Sequence, residues 1–272
     1  MSNANLPVLV EPDQLAAHIG DAGLLIVDMR SSGGYAQGHI SGAVNVDYSD
    51  IIRGAPPAMG LLPDEAHLSA VLSRIGLMPD THVVAYDDEG GGRASRLLWT
   101  LDALGHSRLS LLNGGLQAWV AAGHKLDQTI VQPTPSDYQA RFANPAAVAE
   151  KEHILSRLGN PDTSILDTRT PGEYQGQDVR AARGGHIPGA VNMNWTDAID
   201  TQRNLRFKSE ETLRSMLEAI GVTRDKEVIV YCQTHHRSAH TYMVLKYLGY
   251  DKVRGYAGAW SEWGNDPSLP VE

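Results

Sequence analysis

The chain has 272 residues, 42% of them hydrophobic and 20% charged, which is enough to bury two ordinary cores and long for a single domain. A formal net charge of -9 argues against nonspecific binding to nucleic acid or to an anionic membrane, and no apolar run reaches transmembrane length. One cysteine excludes an intrachain disulfide.

The start, Met1 to Pro7, carries neither the basic nor the apolar pattern of a targeting segment, so a cytoplasmic address is expected. The first strand signal is Leu24 to Met29, closing on Asp28 and followed by Arg30. Gly38-His39-Ile40-Ser41-Gly42-Ala43-Val44-Asn45 comes next, then a second strand signal, Val83 to Tyr86, ending at Asp87. Apolar spacing through Leu97, Leu98, Leu101 and Leu104 predicts a helix from Arg93 to Leu104, with Gly105 as its stop. Asn113-Gly114-Gly115-Leu116-Gln117-Ala118-Trp119 completes this half, and the proline-bearing, aperiodic residues 125–146 read as a surface linker.

The same series then returns about 145 residues later. Ile165 to Arg169 repeats the first strand with Asp167 and Arg169. Gly185-His186-Ile187-Pro188-Gly189-Ala190-Val191-Asn192 repeats the glycine–histidine stretch. Val228 to Cys232 repeats the second strand, Val244, Leu245 and Leu248 repeat the helical spacing, and Gly258 to Trp263 repeats the glycine–tryptophan stretch. Duplicated domains are therefore expected over residues 1–124 and 147–272. Short apolar strands alternating with helical segments make each an α/β unit, with a mostly parallel central sheet flanked by helices. His39 and His186 occupy matching places, as do the Asp28/Arg30 and Asp167/Arg169 pairs, so structural roles are expected for them. Trp119, Trp260 and Trp263 are expected in the cores.

The halves differ where chemistry would sit. Cys232 ends a β-branched strand and opens a polar loop, Gln233-Thr234-His235-His236-Arg237, ahead of a helix. A thiol at the C-terminal edge of a parallel sheet, beside loop amides and a helix N-terminus, is set up to ionise and act as a nucleophile. His235, His236 and Arg237 add positive or polarisable character for an anionic substrate. Arg237 could equally pair with a carboxylate and hold the loop. The first half has Asp87 in place of the cysteine and a loop one residue longer before Arg93. The second half carries an insertion around Tyr174 to Arg183 that brings Arg180 and Arg183.

These motifs together resemble the rhodanese family in its tandem two-domain form, and the resemblance spans nearly the whole chain. It implies two rhodanese-like domains, the first catalytically silent and the second carrying a persulfide on its cysteine. The loop lacks both the Arg-Lys of mammalian thiosulfate enzymes and the Gly-Ser-Gly of mercaptopyruvate enzymes. It resembles the Azotobacter-type bacterial branch, which implies a thiosulfate:cyanide sulfurtransferase. On that reading Cys232 takes sulfur from thiosulfate, releases sulfite, and passes the sulfur to cyanide or to a thioredoxin-like or other protein acceptor. Residues 233–237 hold the persulfide, no metal or organic cofactor is needed, and a monomer suffices. A substrate-binding Arg of some family members is Glu173 here, so Arg180 or Arg183 is the candidate for steering the anion.

Other readings are a 3-mercaptopyruvate sulfurtransferase and a persulfide carrier that supplies cofactor assembly. A phosphatase of related fold would hold five residues between Cys and Arg, where Cys232 and Arg237 enclose four. A zinc site from Cys232, His235, His236 and His240 would lack a second thiolate.

Overall fold

The computed structural model describes residues 6–272. The stretch Met1 to Asn5, part of the segment read above for targeting signals, lies outside the described residues.

The β-branched runs form the two expected parallel sheets. In the first, the strands lie side by side in the order Leu9–Val10, Leu109–Leu112, His82–Tyr86, Leu24–Asp28, Val44–Asn45, and every pairing is parallel. In the second the order is Val148–Ala149, Val253–Tyr256, Glu227–Tyr231, Thr163–Asp167, Val191–Asn192, again all parallel. The two sequences of strands are the same, first, fifth, fourth, second, third, so the internal repeat is a repeat of topology. His82–Tyr86 is buried at all five positions, as a central parallel strand covered on both faces must be.

Helices form near the expected places. Gly92–Ala103 is buried along almost its whole length, and so is Arg237–Tyr247 between Ser238 and Leu245. Both start earlier than the apolar spacing suggested, because their first turns come from the loops that follow the strands. Gly105 and Gly249 sit just beyond them at φ 81° and 77°, left-handed turns that a side chain would strain.

Each unit is pinned by the same buried buckle. Arg30 grips Asp28 through Nε (3.1 Å to both oxygens) and Nη2 (2.6 Å), and also donates to the Gly38 carbonyl. Arg169 does the same with Asp167 and the Gly185 carbonyl. In both units an Asn amide (Asn45, Asn192) donates to the carbonyls of that Asp and Arg. His39 stacks on Tyr35 and His186 on Tyr174, with centroids 3.9 and 3.7 Å apart, and each His Nδ1 meets the carbonyl of its Tyr. The repeated pairs and histidines are structural, as their symmetry implied. Trp119 lies in the core of the first unit, Trp260 and Trp263 in that of the second.

The compact units are not continuous in sequence. One contains the chain up to Ile51 with Pro63–Ala143 and Asp200–Phe207, and the other contains Ile52–Leu62, Asn144–Ile199 and Lys208–Glu272. The contacts of these units run beyond the two halves of the sequence in two ways. First, most of the segment read as a linker packs as part of the first unit. Asp127 and His39 exchange backbone hydrogen bonds (2.9 and 2.8 Å), and Ser136 N–H and the Tyr138 carbonyl are both tied to Ser73. The same exchange joins His186 to Glu272 at 2.8 and 3.0 Å, so the start of the linker is the repeat of the C-terminal tail. Second, each unit includes a short ribbon from the opposite half of the sequence. The Ile52–Leu62 ribbon holds the antiparallel pair Arg53–Ala55 and Ala58–Leu61. The other ribbon donates Phe207 N–H to the Asn113 side chain (2.8 Å) and pairs Arg206 with Glu11 at 3.0 Å. Among the described residues no helix is long and apolar enough to cross a membrane.

Candidate active site

Strands Thr163–Asp167 and Glu227–Tyr231 are neighbours, and the sheet order reverses direction between them. Open α/β sheets form their ligand crevice beyond the C-terminal ends of two such strands. Cys232 stands at that edge, 1% exposed, directly after the buried run Val228 to Tyr231.

The loop that follows is turned so that carbonyls face outward and amides inward. The Cys232 carbonyl accepts from Trp260 N–H (2.9 Å) and the Gln233 carbonyl from Ser261 N–H (3.0 Å). His235 adopts a left-handed φ of 56°, and His236, at φ -90° and ψ -61°, leads into the helix Arg237–Tyr247. Alternating left- and right-handed residues curl successive N–H groups into an anion-binding concavity. Burial pushes the Cys232 thiol up, but the Arg237 guanidinium, the Ser238 hydroxyl and the amides of Ser238 and Thr234 outweigh it and hold the thiol below its ordinary range. His235 Nδ1 meets Ser238 Oγ at 2.7 Å, which fixes that hydroxyl beside the sulfur.

Arg237 is engaged on two sides. Its charge faces Cys232, and its fork is held by Glu173 at 2.6 and 2.8 Å. Glu173 is fully buried at the third position of the short helix Pro171–Tyr174, where it also closes a capping box with Thr170. Although burial alone would raise it, the Arg237 hydrogen bonds and charge carry the Glu173 carboxyl down to about 2. Glu173 is thus the anchor of the loop arginine.

The remaining predicted residues divide. Gln233 donates to the Arg180 carbonyl at 3.1 Å, which ties the loop to the inserted segment. Arg180 is 54% exposed, bonds Asp178 at 3.0 Å and approaches Glu173 at 3.6 Å, so it lies at the edge of the site. Arg183 does not face the site. Its guanidinium donates to the carbonyls of Trp263, Gly264, Asp266 and Leu269, and closing the C-terminal segment in this way consumes its donors. His236 and His240 both turn toward Trp195, with centroids 5.9 and 5.3 Å away. Among the described residues no three His, Cys, Asp or Glu side chains come together as a metal site, the zinc grouping considered above included.

Sequence reasoning missed Ser238, Trp195 and the partnership of Glu173 with Arg237. It also missed Gly60, whose backbone lies against the Thr234 carbonyl within the second unit. Only Ser238 had a local signal, as a hydroxyl in the first turn of a helix behind the thiol.

The first half, which has no cysteine, shows the same cradle occupied. The buried Asp87 carboxylate accepts from the amides of Glu89 (3.1 Å), Gly91 (2.8 Å) and Ala94 (3.0 Å). Its backbone carbonyl accepts from Leu116 N–H, matching Trp260 on Cys232. Burial pushes the Asp87 carboxyl up and the three amides draw it back down, so this position surrounds an acceptor side chain with N–H donors, and in the second half that side chain is a thiol.

Comparison with known proteins gives the same picture. The rhodanese-like domain matches twice, over residues 11–122 and 150–266. A thiosulfate sulfurtransferase of Pseudomonas aeruginosa is 46% identical over 99% of this chain and 98% of its own length, and one of Azotobacter vinelandii is 45% identical over the same shares. The solved structure of SseA from Escherichia coli, described among 3-mercaptopyruvate sulfotransferases, is 29% identical with a TM-score of 0.82, covering 94% of this chain and 99% of that one. With both halves matched by one domain and full-length relatives of nearly half its sequence, the chain belongs to the rhodanese family.

Proposed function

We propose that the protein is a thiosulfate sulfurtransferase working through a persulfide on Cys232. The observation that carries this is the thiol's setting: fully buried, yet held toward its ionised form by Arg237, Ser238 and two loop amides. The names of the two full-length relatives support thiosulfate as the donor.

The Cys232 thiolate attacks the outer sulfur of thiosulfate. The Sγ–S bond forms as the S–S bond of the donor breaks, and the electron pair leaves with sulfite. Negative charge then rests on the outer sulfur of the persulfide, inside a loop whose donors are already oriented, so little reorganisation is needed. Cyanide attacks that sulfur through carbon, thiocyanate departs, and the thiolate returns. A thioredoxin-like or other protein thiol can replace cyanide in the second step. Both steps conserve electrons without a metal or organic cofactor. The cytoplasm is the fitting compartment, since its reducing thiols keep a lone cysteine unpaired.

Intact-mass measurement after incubation with thiosulfate tests the reading. The wild-type protein gains one sulfur that cyanide removes, and Cys232→Ser gains none and does not turn over. Turnover near wild type in that variant would sink the proposal.

A further inference from the structure

Resting on that reading of the site, we infer that Gly60 is a positioning residue for the persulfide loop, contributed by the sequence half that lacks the nucleophile. It lies on the ribbon strand Ala58–Leu61, inside the second unit. A Cβ built on Gly60 would stand 2.0 Å from the Thr234 carbonyl oxygen, 2.6 Å from its carbon and 3.0 Å from Thr234 Cα. These are backbone atoms, so no side chain fits there unless the loop or the ribbon moves. Gly60 is outside the left-handed region, and the position therefore requires the missing Cβ rather than conformational freedom.

The contact matters because a peptide unit is planar and its carbonyl and N–H point in opposite directions. Ser261 N–H on the Gln233 carbonyl aims the N–H of Thr234, one of the donors to the Cys232 sulfur. Gly60 against the Thr234 carbonyl constrains the next peptide, and so aims the N–H of His235, where the chain turns left-handed. The ribbon is fastened to the short helix Ala259–Trp263, whose Trp260 and Ser261 amides also hold the loop. Met59 N–H donates to Ser261 Oγ (3.2 Å), and that hydroxyl donates to the Gly258 carbonyl (2.9 Å). Loop, helix and ribbon thus share one set of backbone contacts, and the ribbon stands on the side of the loop away from the sulfur donors.

The test compares two identical substitutions on one ribbon. Gly60→Ala places a methyl against loop backbone. Gly54→Ala meets only the flexible end of Met59, at 3.1 Å from Cε. Alkylation of Cys232 by iodoacetamide across pH reports the thiolate without any sulfur donor, and sulfur loading from thiosulfate reports the reaction. Gly60→Ala should raise the alkylation midpoint and slow loading about tenfold or more in a protein that still melts cooperatively, and Gly54→Ala should match wild type in both readouts. A wild-type alkylation profile and loading rate in Gly60→Ala overturns the inference. Should Gly60→Ala fail to fold, Ser261→Ala, which removes the fastening without adding volume, should move both readouts the same way, and no movement overturns the inference. A wild-type protein that takes no sulfur from thiosulfate would refute the proposed function instead, and the alkylation comparison would still decide the role of Gly60.

Discussion

Replacing Glu173 by glutamine keeps the shape of the side chain and removes the charge that anchors Arg237. The carboxyl moves from its ordinary 4.5 to about 2 in the fold. Because the folded value is depressed, the stabilisation is complete above the unfolded value and is lost as pH falls toward the folded one. At ~1.4 kcal/mol for each tenfold change in proton affinity, Glu173 contributes about 3 kcal/mol near neutral pH. Breaking a buried pair from one side gives a figure of the same size, about 3–5 kcal/mol, because the cation is left without its counter-charge. The Arg237 side chain is 16% exposed and that of Glu173 is fully buried, so solvent screens little of this. Denaturant unfolding of wild type and Glu173→Gln across pH is the assay. The stability gap should be about 3 kcal/mol at about pH 7 and roughly half that near pH 3, where the carboxyl of the unfolded chain has taken up its proton and that of the fold is still largely ionised. A gap that does not change with pH would mean that lost packing, not charge, is responsible. A gap below about 1 kcal/mol would mean that the pair is no stronger than an exposed one.

Two further outcomes follow from the site. Thiosulfate should show a higher kcat/KM than 3-mercaptopyruvate in parallel assays with cyanide, because a carboxylate-bearing donor needs an arginine clamp, and Arg183 is engaged with carbonyls and Arg237 with Glu173; a higher value for mercaptopyruvate would reverse the donor assignment. Asp87→Ala should leave thiosulfate turnover at the wild-type rate, since the Asp87 carboxyl is engaged with amides of its own loop, those of Glu89, Gly91 and Ala94. Lost turnover there would give the silent loop a role in the reaction.

The strand–cysteine–helix order was legible because its signals are local: a β-branched run, a polar loop, then an apolar period ending at Gly249. The buckles at Asp28 and Asp167 were legible for another reason, since residues two apart appear twice in the same setting. What could not be read was paid out over long separations. Arg183 sits in the inserted segment beside the active half, and nothing near it indicates that its partners are carbonyls about 80 residues on. Glu173 was visible as a departure from a family pattern, but its partner lies 64 residues away and is recognised only once the sheet brings both to one edge. The ribbons were invisible in principle to a reading that cuts the chain into consecutive pieces. Residues 52–62 have the composition of an ordinary turn region, and their destination depends on contacts made with Thr234 and Ser261.

That exchange of ribbons has a genetic consequence. A duplicated gene whose copies fold separately can lose, shuffle or re-fuse either copy. Here a cut between the halves would strip each product of a ribbon that its own coding segment does not encode, and the half with the thiol would lose the backbone that stands behind Thr234. The first copy, free of any demand for a nucleophile, is still bound by inheritance to the second. Its Asp87 loop can drift as long as it stays folded, whereas its residues 52–62 answer to the other copy's chemistry.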